Sequence, residues 1–172
     1  RKGLFYGIPF LIIGIGSVVI SNIGVNLNNL QLISTPNAIL FTINMLLVGM
    51  NEEIWMRAFV LNALIRKYGT DKHGIWKSLI LSACIFGAIH IPNIFFMNPI
   101  TLIVQVVNAA AAGILFGVIF IKCKNIWAGV LVHAMVDWCS LFLDNCFVGA
   151  DSELSMNMNI GQAILIIFLG SV

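Results

Sequence analysis

Six ionisable side chains stand inside otherwise apolar stretches of the 172-residue chain, and they are the residues best suited to chemistry. They are Glu52, Glu53, Arg57, His90, His133 and Asp137. A charge at the centre of a membrane-spanning helix costs about 2.5–3.5 kcal/mol on insertion scales, so most chains avoid it. Carboxylates and imidazoles exchange protons near neutral pH, which allows them to activate water. The set therefore predicts a hydrolytic active site at membrane depth.

The spacing of these residues assigns partners to some of them. Glu53 and Arg57 are four residues apart, so on an α-helix they share a face and can pair. Glu52 is rotated by about 100° from Glu53 and about 140° from Arg57, which makes the same partner hard to share. We therefore expect Arg57 to neutralise Glu53 and Glu52 to act as the base. His133 and Asp137 repeat the four-residue spacing and point the same way.

The depth of three of these residues can be counted from the nearest basic helix end. Glu52 lies 14 residues from Arg66, His90 lies 13 from Lys77, and His133 lies 9 from Lys124. At 1.5 Å per residue these separations are about 21, 20 and 13 Å. Adjacent helices could bring the residues together, as a single site requires.

The amino-acid composition indicates the environment that surrounds this site. Apolar residues make up 60% of the chain and charged residues 9%, with a mean hydropathy of +1.01. Soluble domains average about 45–50% apolar and 25% charged residues, so the bilayer is the expected environment. A net charge of +2 is too small to indicate nucleic-acid binding. The four cysteines form no CxxC pair, which leaves no zinc ribbon or thioredoxin motif.

Apolar runs predict an all-α, polytopic transmembrane helical bundle of about six spans. The runs cover residues 4–24, 37–65, 76–91, 100–121 and 126–143, and a last one begins near residue 160. The second run is too long for one straight span and must tilt, kink or extend beyond the hydrocarbon. We expect residues 1–172 to form one domain with its motif-bearing core at 37–145. Because the chain starts at Arg1 and stops within an apolar run, we also expect it to be a piece of a larger bundle.

The loop charges predict the orientation of this integral, multi-pass protein. Lys and Arg cluster at residues 1–2, 66–77 and 122–125, whereas residues 26–37, 92–99 and 144–158 carry none. The positive-inside rule places the basic ends, including loops 66–77 and 122–125, in the cytoplasm. In a bacterium the membrane would be the plasma membrane.

Three short segments together resemble the motifs of a known family. They are Glu52-Glu53-Ile-Trp-Met-Arg57, Phe86-Gly-Ala-Ile-His90 and His133-Ala-Met-Val-Asp137. They are similar to the EExxxR, FxxxH and HxxxN/D motifs of the CPBP family, the CAAX proteases and bacteriocin-processing enzymes also called the ABI family. Each motif is weak alone, but their order and spacing on successive predicted spans are specific.

The resemblance implies an intramembrane endopeptidase of the type II CAAX prenyl protease kind, with an all-helical fold of about eight spans. It implies that Glu52 activates a water molecule with the help of His90. Glu53 and Arg57 would order the site. His133 and the residue at 137 would stabilise the oxyanion. It implies neither a metal nor another cofactor. Where eukaryotic members have Asn, this chain has Asp137, which must be protonated or must pair with His133, because a carboxylate repels an oxyanion.

The expected partners are membrane lipid and a peptide or lipidated-peptide substrate that reaches the membrane from the cytoplasmic side. Examples are a prenylated tail and a bacteriocin or pheromone precursor.

Other functions compete with this hypothesis. A metal-dependent hydrolase is possible because glutamate and histidine are good zinc ligands, although HExxH is absent. A non-catalytic immunity or scaffold protein would keep the fold without turnover. An ion or proton carrier would also place carboxylates and histidines at depth. Taken singly, a buried Glu–Arg pair or a lone histidine is often structural, and only the whole set favours an active site.

Overall fold

The computed structural model describes residues 31–148 together with Ile12, and these residues form an antiparallel helical bundle. The spans predicted at 4–24 and from residue 160 lie outside the described residues. Five α-helices are described: α1 Thr35–Glu53, α2 Asn62–Tyr68, α3 Lys72–Ala88, α4 Pro99–Cys123 and α5 Ile126–Cys146. A π-helix, Ile54–Leu61, joins α1 to α2, and a 3₁₀-helix, Ile91–Phe95, follows α3.

The segment from α1 to α2 is one continuous 34-residue helical stretch, Thr35–Tyr68. Pro36 stands in its first turn, where proline's missing N–H costs no hydrogen bond. The length agrees with the prediction that this run exceeds a straight span. A π-helix, which begins directly after Glu53 and contains Arg57, interrupts the α-helical geometry of this stretch. The sequence-based rotation angles assumed a regular α-helix, and that assumption fails from Ile54 onward.

Helix α3 begins at a capping aspartate and ends shortly before a proline. Asp71 caps its first turn by accepting hydrogen bonds from the backbone N–H groups of His73 and Gly74. At the other end the α-helix stops at Ala88, three residues before the predicted end. The 3₁₀-helix that follows contains Pro92, whose ring cannot continue an α-helix. His90 lies at this change of helix type.

Small residues let the neighbouring helices pack closely, as the run from Ala109 to Gly117 predicts. A Cβ atom added at Gly113 would lie 3.1 Å from Ala83 Cα of α3, and one at Gly117 would lie 2.6 Å from Leu79 Cδ2. Helices α4 and α5 then form a hairpin that turns at Lys124, a residue with a positive φ of 52°. Near this turn Phe116, Ile119 and Val132 pack together.

Two short strands depart from the all-helical expectation. Strand β1, Gln31–Leu32, pairs antiparallel with strand β2, Phe147–Val148. Apolar periodicity cannot predict two-residue strands, because the alternation that marks a strand needs more residues.

The described helices fit a bilayer. Three helical stretches are long and apolar enough to cross a membrane: Thr35–Tyr68, Lys72–Phe95 and Pro99–Cys123. In α5 the apolar stretch is shorter, Ile126–Phe142. Large apolar side chains such as Ile39, Leu40 and Ile103 are exposed on the outer faces of the bundle, as expected where lipid is the solvent. Over the residues that the structure describes, the chain is an all-α integral membrane protein apart from the two short strands.

Candidate active site

An ion pair between Glu53 and Arg57 lies fully inside the bundle. Arg57 Nε is 3.0 Å from Glu53 Oε2, and both residues are 0% exposed. The pair was expected from the four-residue spacing. Arg57 also donates a long hydrogen bond of 3.5 Å to the carbonyl of Gly113. Because an isolated charge is costly in an apolar interior, this pairing explains how the bundle tolerates either group.

His133 joins both glutamates of the first motif to α5. Its Nδ1 lies 3.0 Å from Glu53 Oε1, and its Nε2 lies 3.3 Å from Glu52 Oε2. The same Nε2 is 3.5 Å from Asp137 Oδ2, one turn along α5. We name Glu52, Glu53, Arg57, His133 and Asp137 the ionic cluster. The helix rotation separates Glu52 from Arg57, as expected, but both glutamates meet on the two nitrogens of the His133 imidazole.

Protons must offset part of the charge in the ionic cluster. Its three carboxyl groups face one guanidinium and one imidazole, and all five residues are buried. A neutral imidazole donates through only one nitrogen, whereas both nitrogens of His133 face carboxyl oxygens. The arrangement therefore fits an imidazolium, or a neutral imidazole beside a protonated carboxyl group.

Two phenylalanines pack on Arg57 and His133 of the ionic cluster. The Phe116 ring stacks on the His133 imidazole with centroids 4.6 Å apart, and Phe86 meets the same imidazole edge-on at 5.9 Å. The Arg57 guanidinium carbon lies 5.0 Å from the Phe86 centroid and 5.4 Å from that of Phe116. Cation–π contacts of this kind strengthen in a desolvated site. The two rings therefore fix His133 and Arg57 from the sides that the carboxylates leave open.

His90 stands beside the ionic cluster at the end of α3. Its Nδ1 donates a 2.8 Å hydrogen bond to the carbonyl of Phe86, because a carbonyl can only accept. A neutral His90 therefore has an unprotonated Nε2 that can accept a proton. The Phe86 ring contacts the His90 imidazole edge-on, with centroids 5.3 Å apart, and so connects His90 to His133.

Two glycines bring α1 and α5 close enough for these contacts. A Cβ atom added at Gly129 would lie 2.7 Å from Glu53 Oε2, which is closer than real Cβ atoms approach. One added at Gly49 would lie 3.0 Å from the backbone nitrogen of Ala134. Nothing in the local sequence marks either glycine as part of a site.

A cavity of about 320 Å³ adjoins the ionic cluster between α4 and α5. His90, His133 and Asp137 line it, and Glu52 lies 3.3 Å from His133, which forms part of its wall. The remaining walls are formed by Phe86, Thr101, Val104, Gln105, Asn108, Ala109, Ala112, Phe116, Val136 and Ser140. Since liquid water occupies about 30 Å³ per molecule, the cavity has room for roughly ten waters.

The structure thus brings together the six residues singled out from the sequence. Five form the ionic cluster and His90 shares the cavity with two of them. Sequence reasoning missed Phe116, Gly129 and the cavity's polar wall. Among residues 31–148, no group of three or more His, Cys, Asp or Glu side chains is arranged to hold a metal ion.

Comparison with known proteins identifies the family to which this site belongs. The family model for the type II CAAX prenyl endopeptidase Rce1-like proteins matches residues 34–139. The match covers more than half of the chain and includes all three motifs. The chain belongs to the Rce1-like family. The members of this family are proteases, and the family resemblance inferred from the three sequence motifs is thereby confirmed. No curated protein and no solved structure matches the chain.

Proposed function

We propose that this Rce1-like chain is an intramembrane endopeptidase in which Glu52 is the general base. The observation that carries the proposal is the convergence of Glu52, His133 and Asp137 beside a cavity that His90 also lines. A carboxylate, an imidazole and space for water are what peptide-bond hydrolysis by an activated water needs. Family membership supports a protease, and the residue roles are our proposal.

In the first step Glu52 takes a proton from a water molecule in the cavity. The resulting hydroxide attacks the carbonyl carbon of the scissile peptide bond and forms a tetrahedral oxyanion. His90 accepts a hydrogen bond from the same water through Nε2, since its Nδ1 is committed to the Phe86 carbonyl. Glu52 then passes its proton to the departing amine as the C–N bond breaks. The hydroxyl of the water ends on the new carboxyl group, and its proton ends on the new amine.

His133 is proposed to stabilise the oxyanion. Its Nε2 lies 3.3 and 3.5 Å from Glu52 and Asp137, longer than the usual 2.7–2.9 Å of a charge-assisted hydrogen bond. A developing oxyanion in the cavity can compete for such a loosely held donor. The contact between Asp137 and His133 supports the second expectation for this position, in which the carboxylate pairs with the histidine and orients it.

The substrate is proposed to be a membrane-associated peptide. Prenylated tails and bacteriocin-type precursors are both compatible with the family. A non-catalytic immunity or scaffold role and a metal-dependent hydrolase are the alternatives that the experiment must separate.

The decisive experiment measures cleavage of fluorescence-quenched peptides, with and without a C-terminal farnesylated cysteine, by the purified protein in liposomes. Glu52→Gln should slow cleavage by about 10²–10⁴-fold, because that is the usual contribution of a general base. Asp71→Asn is the matched control, since it removes a carboxylate outside the site and Asn caps a helix as well as Asp does.

Three outcomes contradict parts of the proposal. Wild-type rates from Glu52→Gln would refute the assignment of the base. Loss of activity in a chelator, restored by added zinc, would support the metal-dependent alternative. A wild-type protein that cleaves none of the peptides would favour the non-catalytic role.

A further inference from the structure

All lysines and arginines of residues 31–148 except Arg57 lie at one end of the bundle, which we call the basic end. They are Arg66, Lys67, Lys72, Lys77, Lys122 and Lys124, and all six are exposed. Packing between α3 and α4 brings these segments together, because Gly113 lies against Ala83 and Gly117 lies against Leu79. The residues that follow on α4 therefore lie beside the first turn of α3.

The charge of the basic end has little compensation within the part of the chain that the structure describes. None of its six cations forms an ion pair with another described residue. Its segments, 66–77 and 122–125, contain one carboxylate, Asp71, which accepts the hydrogen bonds that cap α3. A surface on which several cations lie close together attracts anions.

Two of these cations lie over one aromatic ring. Lys77 Nζ is 4.2 Å from the centroid of the Tyr68 ring, and Lys67 Nζ is 5.4 Å from the same centroid. The two ammonium nitrogens are therefore separated by at most about 10 Å, which is one Debye length in 0.1 M salt. Like charges at this distance repel each other. An anion that contacts both ammonium groups would remove this repulsion.

The turn between α2 and α3 holds the ring near both lysines. Tyr68 is the last residue of α2, and Gly69 follows it with a φ of 95°, a backbone conformation that favours glycine. A Cβ atom added at Gly74 would collide with the carbonyl oxygens of Tyr68 and Gly69. The chain therefore folds back tightly onto the first turn of α3, and Lys77 reaches the Tyr68 ring across this turn.

The exposed residues next to the basic end indicate the level of the membrane–water interface. On α3, Lys72, Trp76 and Ile80 follow one another at four-residue spacing, so they share one helix face. Trp76 and Ile80 are 49% and 50% exposed, and Trp127 and Leu131 of α5 are exposed to a similar extent. Tryptophan is enriched at the level of the lipid headgroups. Lys67, Tyr68 and Lys77 therefore lie where lipid phosphates are expected.

We propose that Lys67, Tyr68 and Lys77 form a binding site for the phosphate of an anionic phospholipid, which we call the Tyr68 site. The two ammonium groups bind phosphate oxygens, and the ring of Tyr68 holds the ammonium groups in place. The acyl chains lie against the exposed apolar face of α3 at Ile80. Phosphatidylcholine binds less well, because its cationic choline is repelled by the same lysines. The Tyr68 site lies apart from the ionic cluster and does not rest on the proposed protease activity.

The proposal is tested by quenching of Trp76 fluorescence with brominated lipids. In the full chain Trp55, Trp127 and Trp138 are replaced by phenylalanine, which leaves Trp76 as the only tryptophan. This parent protein is reconstituted in dioleoylphosphatidylcholine in which one lipid in four is either dibrominated phosphatidylglycerol or dibrominated phosphatidylcholine. The ratio of the two binding constants measures the preference for anionic lipid. We expect a preference of about fivefold or more, because about fivefold is the contribution of one lysine near an anionic surface.

Two pairs of variants locate the preference on the Tyr68 site. Lys67→Gln combined with Lys77→Gln should abolish the preference for phosphatidylglycerol. Lys122→Gln combined with Lys124→Gln is the matched control, since it removes as much charge from the basic end without changing the Tyr68 site, and it should lower the preference less than about twofold. Tyr68→Leu should lower the preference about two- to fivefold, the range of an exposed cation–π contact. Tyr68→Phe keeps the ring and should leave the preference unchanged.

Three results would overturn the proposal. The first is equal binding of the two brominated lipids by the parent protein. The second is an equal loss of preference in the two double variants, which would show a diffuse positive surface instead of a local site. The third is an unchanged preference in Tyr68→Leu, which would exclude the ring from the site. The measurement needs no peptide cleavage, so none of these results bears on the assignment of Glu52 as the base.

Discussion

The ionic cluster and the cavity beside it differ in how deeply their polar side chains are buried. In the ionic cluster, Glu53 and Arg57 are fully buried, and the rings of Phe86 and Phe116 cover Arg57 and His133. In the cavity, Thr101, Asn108 and Ser140 are exposed along an open wall. The ionic cluster pairs its charged groups with one another inside the bundle. The cavity leaves polar groups facing a space that water or a substrate can fill.

This difference assigns separate tasks to the two regions. Desolvation strengthens the electrostatic contacts that hold His133, because charges interact more strongly in a low dielectric. The same desolvation would exclude the water that hydrolysis consumes, so reaction requires a wet surface next to the ionic cluster. His133 and Asp137 belong to both regions and connect them. Substitutions in the sealed part should therefore disturb stability and geometry, and those at the boundary should disturb chemistry alone.

The strongest test of the sealed part is Arg57→Met, which keeps an unbranched side chain but removes the guanidinium group and its charge. Glu53 would then be buried beside two other carboxyl groups without its guanidinium partner. Removing one member of a buried ion pair typically destabilises a protein by about 3–5 kcal/mol. We expect a large drop in the thermal unfolding temperature of the protein in detergent, together with loss of cleavage.

Arg66→Met is the matched control for this prediction, because Arg66 is exposed at the basic end of α2. Surface substitutions usually change the free energy of unfolding by less than about 0.5 kcal/mol. If Arg57→Met and Arg66→Met unfold at the same temperature, the ionic cluster does not stabilise the bundle and the contrast with the cavity fails.

A smaller effect, on geometry rather than stability, is expected from Gly129→Ala. The new Cβ atom would lie 2.7 Å from Glu53 Oε2, a carboxylate already held by Arg57 and His133. The carboxylate must shift and His133 must follow it. Since a displacement of about 1 Å can cost 10²-fold in rate, we expect cleavage to slow by about 10–10²-fold. Steady-state cleavage and thermal unfolding, measured on the same preparation, separate the two effects.

Gly117→Ala provides the comparison for Gly129→Ala. It is also a glycine inside a helix, but its Cβ atom would meet the Cδ2 methyl of Leu79, which can rotate away. Both substitutions replace glycine by a better helix former, so they share any gain in helix propensity. Equal rates for the two variants would contradict the view that Gly129 is needed to seat Glu53.

Sequence reasoning reached the helices and the six ionisable residues, because charges in apolar runs and four-residue spacings are readable without a structure. It did not predict that Glu52 and Glu53 share His133. That contact depends on which faces of α1 and α5 meet, and helical periodicity within one segment does not determine it. The π-helix from Ile54 was also missed, since apart from Arg57 its residues are as apolar as those of an ordinary span.

Phe116 is another residue whose role in the site could not be predicted from the sequence. In the sequence it is one of 12 phenylalanines in an apolar chain, so it is indistinguishable from a residue that faces lipid. In the structure it stacks on His133 and lies 5.4 Å from the Arg57 guanidinium. Positions that support a charged group through packing carry no chemical signature of their own, and they become visible only when the helices are assembled.

The smallest effect is expected where the two regions meet, from Asp137→Asn. The amide keeps an oxygen near His133 Nε2, whose 3.5 Å distance from Asp137 is the longest of the three carboxyl contacts. It also adds an N–H donor that a cavity oxyanion can use. We therefore expect cleavage within about tenfold of wild type, which corresponds to the net contribution of one ordinary hydrogen bond. Asp137→Leu, which can neither accept nor donate, should lose at least about tenfold more by the same reasoning. If Asp137→Asn proves as damaging as Asp137→Leu, the carboxylate charge itself is essential, and Asp137 belongs functionally to the sealed ionic cluster rather than to the wall of the cavity.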